Sequence, residues 1–172
     1  MVDVQRGFDE PRWGRRNNPH CERNVARLIE EWRRRRRPLV FVRHDSREPG
    51  SPLAPGSDGN GFKDVVTGRP DLLVAKQVNS AFYGEPALDD WLRAHGVPAL
   101  AVCGITTNHC CETTARMAAN LGYEVLFVGD ATHTFDRTAP DGSPVSAEEL
   151  QRATETSLHG EFATVVATND LL

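Results

Sequence analysis

The sequence predicts an α/β protein: a three-layer, Rossmann-like domain whose mostly parallel sheet carries helices on both faces. Three observations predict it. Short apolar, β-branched runs recur along the chain, amphipathic segments of helical period separate them, and polar residues gather just past the ends of the runs. Strands of a parallel sheet are buried on both faces and joined by helical crossovers, which gives this pattern. The 172 residues match one domain, 1–172, large enough to bury a core without disulfides or a structural metal.

The elements follow in order. Met1-Val2-Asp3 ends in a carboxylate but is too short for a central strand, so either residues precede it in the natural protein or the first strand is stunted. The segment 22–38 is an amphipathic helix with Val25, Leu28, Ile29 and Trp32 on one face. Glu30 and Glu31 precede Arg34 and Arg35 at i,i+4, and Pro38 ends the helix. Residues 39–43 form a buried strand. Residues 44–70, rich in Gly, Pro, Ser and Asp, form a long loop that serves as a lid or wall; its glycines lack the G-K-[ST] ending of a phosphate loop. Strands follow at 71–76, 98–104, 124–130 and 162–168. Helices lie between them at 86–96, closed by Gly96, at 108–123, ended by Gly122, and at 146–160, opened by a Ser-x-x-Glu capping signal.

Composition narrows the function classes. The chain is 39% hydrophobic and 26% charged with a net charge of −4, which excludes a disordered chain and argues against a nucleic-acid partner. No apolar run approaches the ~20 residues of a bilayer crossing, and the start has no apolar secretory stretch, so the cytoplasm is the expected compartment and no membrane is expected as a partner. The arginines from Arg33 to Arg37 are the solvated end of a helix, where cations complement its dipole. The four cysteines include no C-x-x-C pair and are expected to be reduced thiols.

In such a sheet ligand chemistry collects past the carboxyl ends of the strands. The candidates there are Asp3, His44, Asp45, Lys76, the residues after Gly104, and Asp130. Cys110 opens a helix, where the dipole stabilises a thiolate and free N–H groups can hold an oxyanion. The competing reading makes Cys110 and Cys111 small core residues of that helix. A redox role for the adjacent pair is disfavoured, because a vicinal disulfide needs a distorted peptide. Cys111 points about 100° around the helix from Cys110, toward the packed side.

The stretches Asp3-Val4-Gln5, Lys76 at a strand end and Gly104-Ile105-Thr106-Thr107-Asn108-His109-Cys110, followed by Thr114-Ala115, carry a resemblance over nearly the whole chain. Phe8, the stretch KQVNSAF, Gly122-Tyr123 and Asp130-Ala131 support it. The sequence resembles the isochorismatase-like cysteine hydrolases, a family that includes nicotinamidases, carbamoyl-amide hydrolases and streptothricin hydrolase. The resemblance implies the isochorismatase-like form of the fold and hydrolysis of a C–N bond in a small-molecule amide. Cys110 would be the nucleophile, Asp3 the proton carrier and Lys76 the charge partner, with a thioester intermediate. It also implies a cis peptide at Ile105–Thr106 that turns the Thr106 and Cys110 N–H groups toward an oxyanion. Phe8, Trp13, Asn79, Phe82 and Tyr83 would line the substrate pocket, and the chain would assemble as a homodimer or homotetramer.

The chain departs from the nicotinamidase pattern where those relatives bind a metal. His44 and Asp45 are adjacent and no second His follows in the loop, so no metal and no cofactor are expected. His44 and Asp45 are instead assigned to the pocket mouth or to bonding of the loop, and His109 to a place near the pocket. Two alternatives stand beside the amidase reading. One is a binding or assembly domain that keeps the fold without chemistry; the other is a vinyl ether hydrolase of the isochorismatase type, against which the presence of Cys110 argues.

Overall fold

A computed structural model describes residues 1–172. The main elements are α1 (Cys21–Arg34), β1 (Val40–His44), β2 (Leu72–Lys76), α2 (Leu88–Ala94), β3 (Ala99–Ile105), α3 (Glu112–Asn120), β4 (Glu124–His133), β5 (Arg137–Thr138), β6 (Pro144–Val145), α4 (Ala147–Leu158) and β7 (Thr164–Val166). β1 pairs with β2, and β3 with β4 and β4 with β7, all in parallel. The two groups are joined by the first residues of the chain, because Val2 bridges in parallel to Val42 of β1 and to Gly104 of β3. The sheet order is therefore β2, β1, Met1–Asp3, β3, β4, β7.

This corrects the expectation that Met1-Val2-Asp3 is too short to be central. Val2 N–H donates to Cys103 O (2.8 Å) and Ile105 N–H to Val2 O (2.9 Å). On the other side Asp3 N–H donates to Val42 O (2.9 Å) and Val42 N–H to Met1 O (3.0 Å). Three residues suffice because an established strand edge on each side supplies the partners. Gly104 makes the close approach possible: its φ is +131°, and a Cβ there would lie 1.9 Å from Val2 O.

Alternation along the strands divides the core in two. Val42, Val74, Val102 and Phe127 pack with Leu88, Leu92, Ala115, Ala118 and Leu158 from α2, α3 and α4. Phe41, Cys103, Ile105 and Val128 pack with Val25, Leu28 and Ile29 of α1 on the other face. Helices thus cover both faces, as the sequence predicts.

Three local features differ from expectation. α1 stops at Arg34, because Arg36 adopts φ +52°, and Glu31 pairs with Arg34 and Arg35. β4 runs on to His133 past a register shift, with Val102 opposite Phe127 but Gly104 opposite Thr132. A short antiparallel hairpin, β5 with β6, follows it. The capping box on α4 is as predicted: Ser146 Oγ accepts from Glu149 N–H (3.2 Å) and Glu149 Oε2 accepts from Ser146 N–H (2.8 Å).

Candidate active site

Parallel strands end on one edge of the sheet, so residues far apart in sequence meet there. Asp3 ends the central segment, Lys76 ends β2, and Cys110 lies in a π turn, Thr107–Cys111, between β3 and α3. Lys76 Nζ donates to Asp3 Oδ2 at 2.6 Å and to Cys110 Sγ at 3.3 Å. A third contact joins it to His44 Nδ1 at 3.1 Å. The Asp3 and Lys76 side chains are fully buried, and Cys110 is 7% exposed.

The backbone holds this cluster in place. Asp3 has φ +50°, a left-handed conformation that turns the chain out of the sheet and that Asp tolerates better than most residues. Gln5, also buried, clamps His44: its Oε1 accepts from His44 N–H (2.8 Å) and its Nε2 donates to His44 O (3.0 Å). The Ile105–Thr106 peptide is cis, and the Thr106 N–H has no acceptor within the protein. Irregular π turns recur at functional sites, because they re-aim a side chain at a helix start.

Electrostatics assign the resting charges. Burial works to lower the Lys76 pKa, but the charge of Asp3 and its hydrogen bond to the ammonium outweigh it and hold the group above the ordinary lysine value. Burial pushes the Cys110 thiol up, the Asp3 charge adds to this, and Lys76 only partly offsets both. The resting cluster is an ammonium–carboxylate pair beside a neutral thiol, not the preformed thiolate expected from the helix position. Burial and Lys76 keep His44 below its ordinary value and hence neutral near pH 7.

Beside Lys76 opens a cleft of about 730 Å³, walled by Asp45 and Arg47 from the long loop, by Gln77, Asn79 and Tyr83 after β2, and by Thr113 and Met117 of α3. Asn79 and Tyr83 are thus among its walls, and Asn79 Oδ1 also lies 3.8 Å from Cys110 Sγ. Phe8, Trp13 and Phe82 are not among those walls. Phe8 and Trp13 pack with Phe135, ring centroids 5.3 to 6.3 Å apart, and Phe82 packs on Tyr123 at 6.0 Å. Large apolar rings gain from burial against one another. His109 Nδ1 contacts the Arg137 guanidinium at 3.4 Å. Asp130 is structural: its Oδ1 accepts from Thr168 N–H (2.7 Å) and Oγ1–H (2.8 Å), its Oδ2 from Asn24 Nδ2 (3.1 Å).

The donor groups past β1 do not fit a divalent ion. The Asp45 carboxylate accepts from Arg43 Nε (2.7 Å) and Nη2 (2.9 Å) and from Asn60 Nδ2 (3.0 Å), so both its oxygens are engaged. Donor atoms of Asp3, His44 and Cys110 lie within 4.8 Å of one another, but Lys76 Nζ contacts all three. The cation of this cluster is the lysine.

Sequence reasoning missed the Lys76 contact of His44, the clamp by Gln5 and the cleft residues Arg47, Gln77, Thr113 and Met117. For His44 and Gln5 a signal was present: one stands at a strand end, the other in the Asp-x-Gln stretch. The cleft residues carry no such mark.

The sheet order, the helices on both faces and the buried carboxylate, ammonium and thiol at the strand ends define the class, the isochorismatase-like α/β hydrolase fold. Residues 1–170 match the Isochorismatase domain family. The isochorismatase family protein YrdC of Bacillus subtilis (strain 168) is 33% identical over 173 residues, covering 100% of this chain and 92% of that protein. Nicotinamidase 3 of Arabidopsis thaliana is 34% identical over 83% of this chain and 73% of its own length. Streptothricin hydrolase of Streptomyces noursei is 32% identical over 96% of this chain, which spans 60% of that protein. A crystal structure of an isochorismatase-family protein from Chromobacterium violaceum ATCC 12472 superposes with a TM-score of 0.94 at 42% identity, covering 99% of this chain and 88% of that one. The chain belongs to the isochorismatase family, and it is a hydrolase of that family with amidase-type relatives.

Proposed function

We propose that this protein hydrolyses a carbon–nitrogen bond of a small-molecule amide, open or cyclic, through a thioester on Cys110. One observation carries the reading. Asp3 Oδ2 is held by Lys76, while Asp3 Oδ1 is buried without a hydrogen-bond partner, in a carboxylate that has an oxygen within 4.8 Å of Cys110 Sγ. A carboxylate with one oxygen fixed by a cation and the other free is a general base awaiting a proton.

In the first half-reaction Asp3 Oδ1 takes the Sγ–H proton as Sγ attacks the amide carbon, and the carbonyl oxygen becomes an oxyanion. The Thr106 and Cys110 N–H groups donate to it. As the C–N bond breaks, Asp3 returns the proton to the departing nitrogen, leaving an amine and a thioester. In the second half-reaction Asp3 takes a proton from water, the hydroxide adds to the thioester carbon, and the C–S bond breaks. The proton returns to sulfur and the acid leaves. Lys76 keeps its proton throughout; its charge stabilises sulfur as it becomes negative. Asn79 and Tyr83 contact the substrate from the cleft.

The test is release of amine or ammonia from a panel of small linear and cyclic amides. Asp3→Asn and Lys76→Met should each lower turnover by at least about a hundredfold without unfolding the protein. The two losses should not add, since both act on one proton. Near-full activity in either variant would overturn the assignment.

A further inference from the structure

Lys76 has three N–H bonds and three partners, and two of the partners, Asp3 and Cys110, are accounted for by the proposed reaction. The third is His44 Nδ1 at 3.1 Å. An ammonium donates and cannot accept, so Nδ1 must present its lone pair, and the imidazole is neutral with its proton on Nε2. We infer that His44 is a positioning residue for the nucleophile: by accepting the third N–H of Lys76 through Nδ1, it aims the other two at Asp3 and Cys110. This rests on the triad reading above.

The contact is built into the fold. His44 and Lys76 are register partners at the ends of β1 and β2, which puts their side chains next to each other. The His44 backbone is held at both its polar atoms by the Gln5 amide, and Asn60 Nδ2 donates to the same carbonyl at 3.2 Å. A fully buried Lys76 side chain cannot give a spare N–H to water. Without His44 its third N–H would be left unsatisfied, and the ammonium would be drawn out of line between carboxylate and sulfur. The charged groups around the imidazole are Lys76, Asp3, Asp45 and Glu48. Protonation of His44 would set two cations against each other, so the device works with the neutral ring. A metal-ligand role competes for the same lone pair, and Nδ1 is already spent on Lys76.

Three variants separate the atoms. His44→Asn offers an oxygen near the place of Nδ1, His44→Gln places its amide near that of Nε2, and His44→Phe keeps a ring without an acceptor. The readouts are thermal melting, kcat and KM on the best amide of the panel, and the rate of Cys110 modification by iodoacetamide from pH 6 to 9, mapped by mass. His44→Phe should lower both kcat and the modification rate about tenfold with little change in KM, as loss of alignment does. His44→Asn should restore both to within about threefold, and His44→Gln should not. Wild-type rates in His44→Phe would overturn the inference; so would rescue by His44→Gln alone, which would make Nε2 the working atom, or a zinc-restored loss on chelation. If His44→Phe fails to fold, the comparison of His44→Asn with His44→Gln decides. Lys76→Met is the control: if it leaves Cys110 modification unchanged, the triad reading itself fails. If it slows modification while His44→Phe does not, only the role of His44 falls.

Discussion

Cys110 and Cys111 are neighbours in sequence and alike in chemistry, yet their surroundings differ. Cys110 Sγ touches Lys76, whereas Cys111 is fully enclosed by the core beneath α3. Cys110→Ala should therefore abolish hydrolysis at nearly unchanged stability, and Cys111→Val should keep most of the activity, measured as turnover alongside thermal melting. His133 gives a second residue-scale prediction. It is fully buried, neither ring nitrogen has a hydrogen-bond partner, and burial, with Arg16 adding, lowers its pKa from 6.5 to about 3. The folded protein holds the neutral ring, so this contribution to stability is complete above pH 6.5 and shrinks as pH falls toward 3. The loss is about 1.4 kcal/mol per pH unit inside that window. His133→Phe should flatten the acid limb of the unfolding free energy between pH 6 and 4; an unchanged limb would show that other groups carry it.

At the scale of elements, the apolar runs marked β1 to β4 and β7 because a strand covered on both faces needs near-continuous apolar residues. The run at Met1–Asp3 was visible as well, but its central place was not. That place depends on two edges, β1 and β3, that lie far along the chain. Gly104 is the seam, and Gly104→Ala should destabilise severely or prevent folding, since the added Cβ meets Val2 O and the positive φ disfavours it. The extension of β4 and the β5–β6 hairpin were not legible, because a register shift and a two-residue pairing leave no period in the sequence. The cap of α4 was legible, because four local residues complete it. Ser146→Ala should cost about 1 kcal/mol in denaturant unfolding; a change within error would mean that the Asp136 contact to Ala147 N–H (2.8 Å) is enough to start the helix.

The whole molecule places two cores on either side of a sheet and its reactive groups at one edge. The triad candidates were legible because strand ends, short motifs and their order converge on that edge. The cleft was not, since its walls come from the long loop, the segment after β2 and α3, and only folding sets them around Lys76. Phe8 and Trp13 show the same limit: nothing in the sequence marks that both rings stack on Phe135, far along the chain. The ligand geometry past β1 also acts on the whole protein. With Asp45 bound to Arg43 and Lys76 seated among Asp3, His44 and Cys110, dialysis against a strong chelator should leave both the rate and the melting temperature unchanged. A loss restored by zinc or iron would show that a metal site had been overlooked.

The measurement that bears most directly on the central claim is to quench a turning-over reaction in acid, digest the protein and weigh its cysteine peptides. The acyl half of the amide should be found on Cys110, labile to hydroxylamine and absent from Asp3→Asn. An acyl group on another residue, or none at all while Cys110→Ala still turns over substrate, would contradict the account.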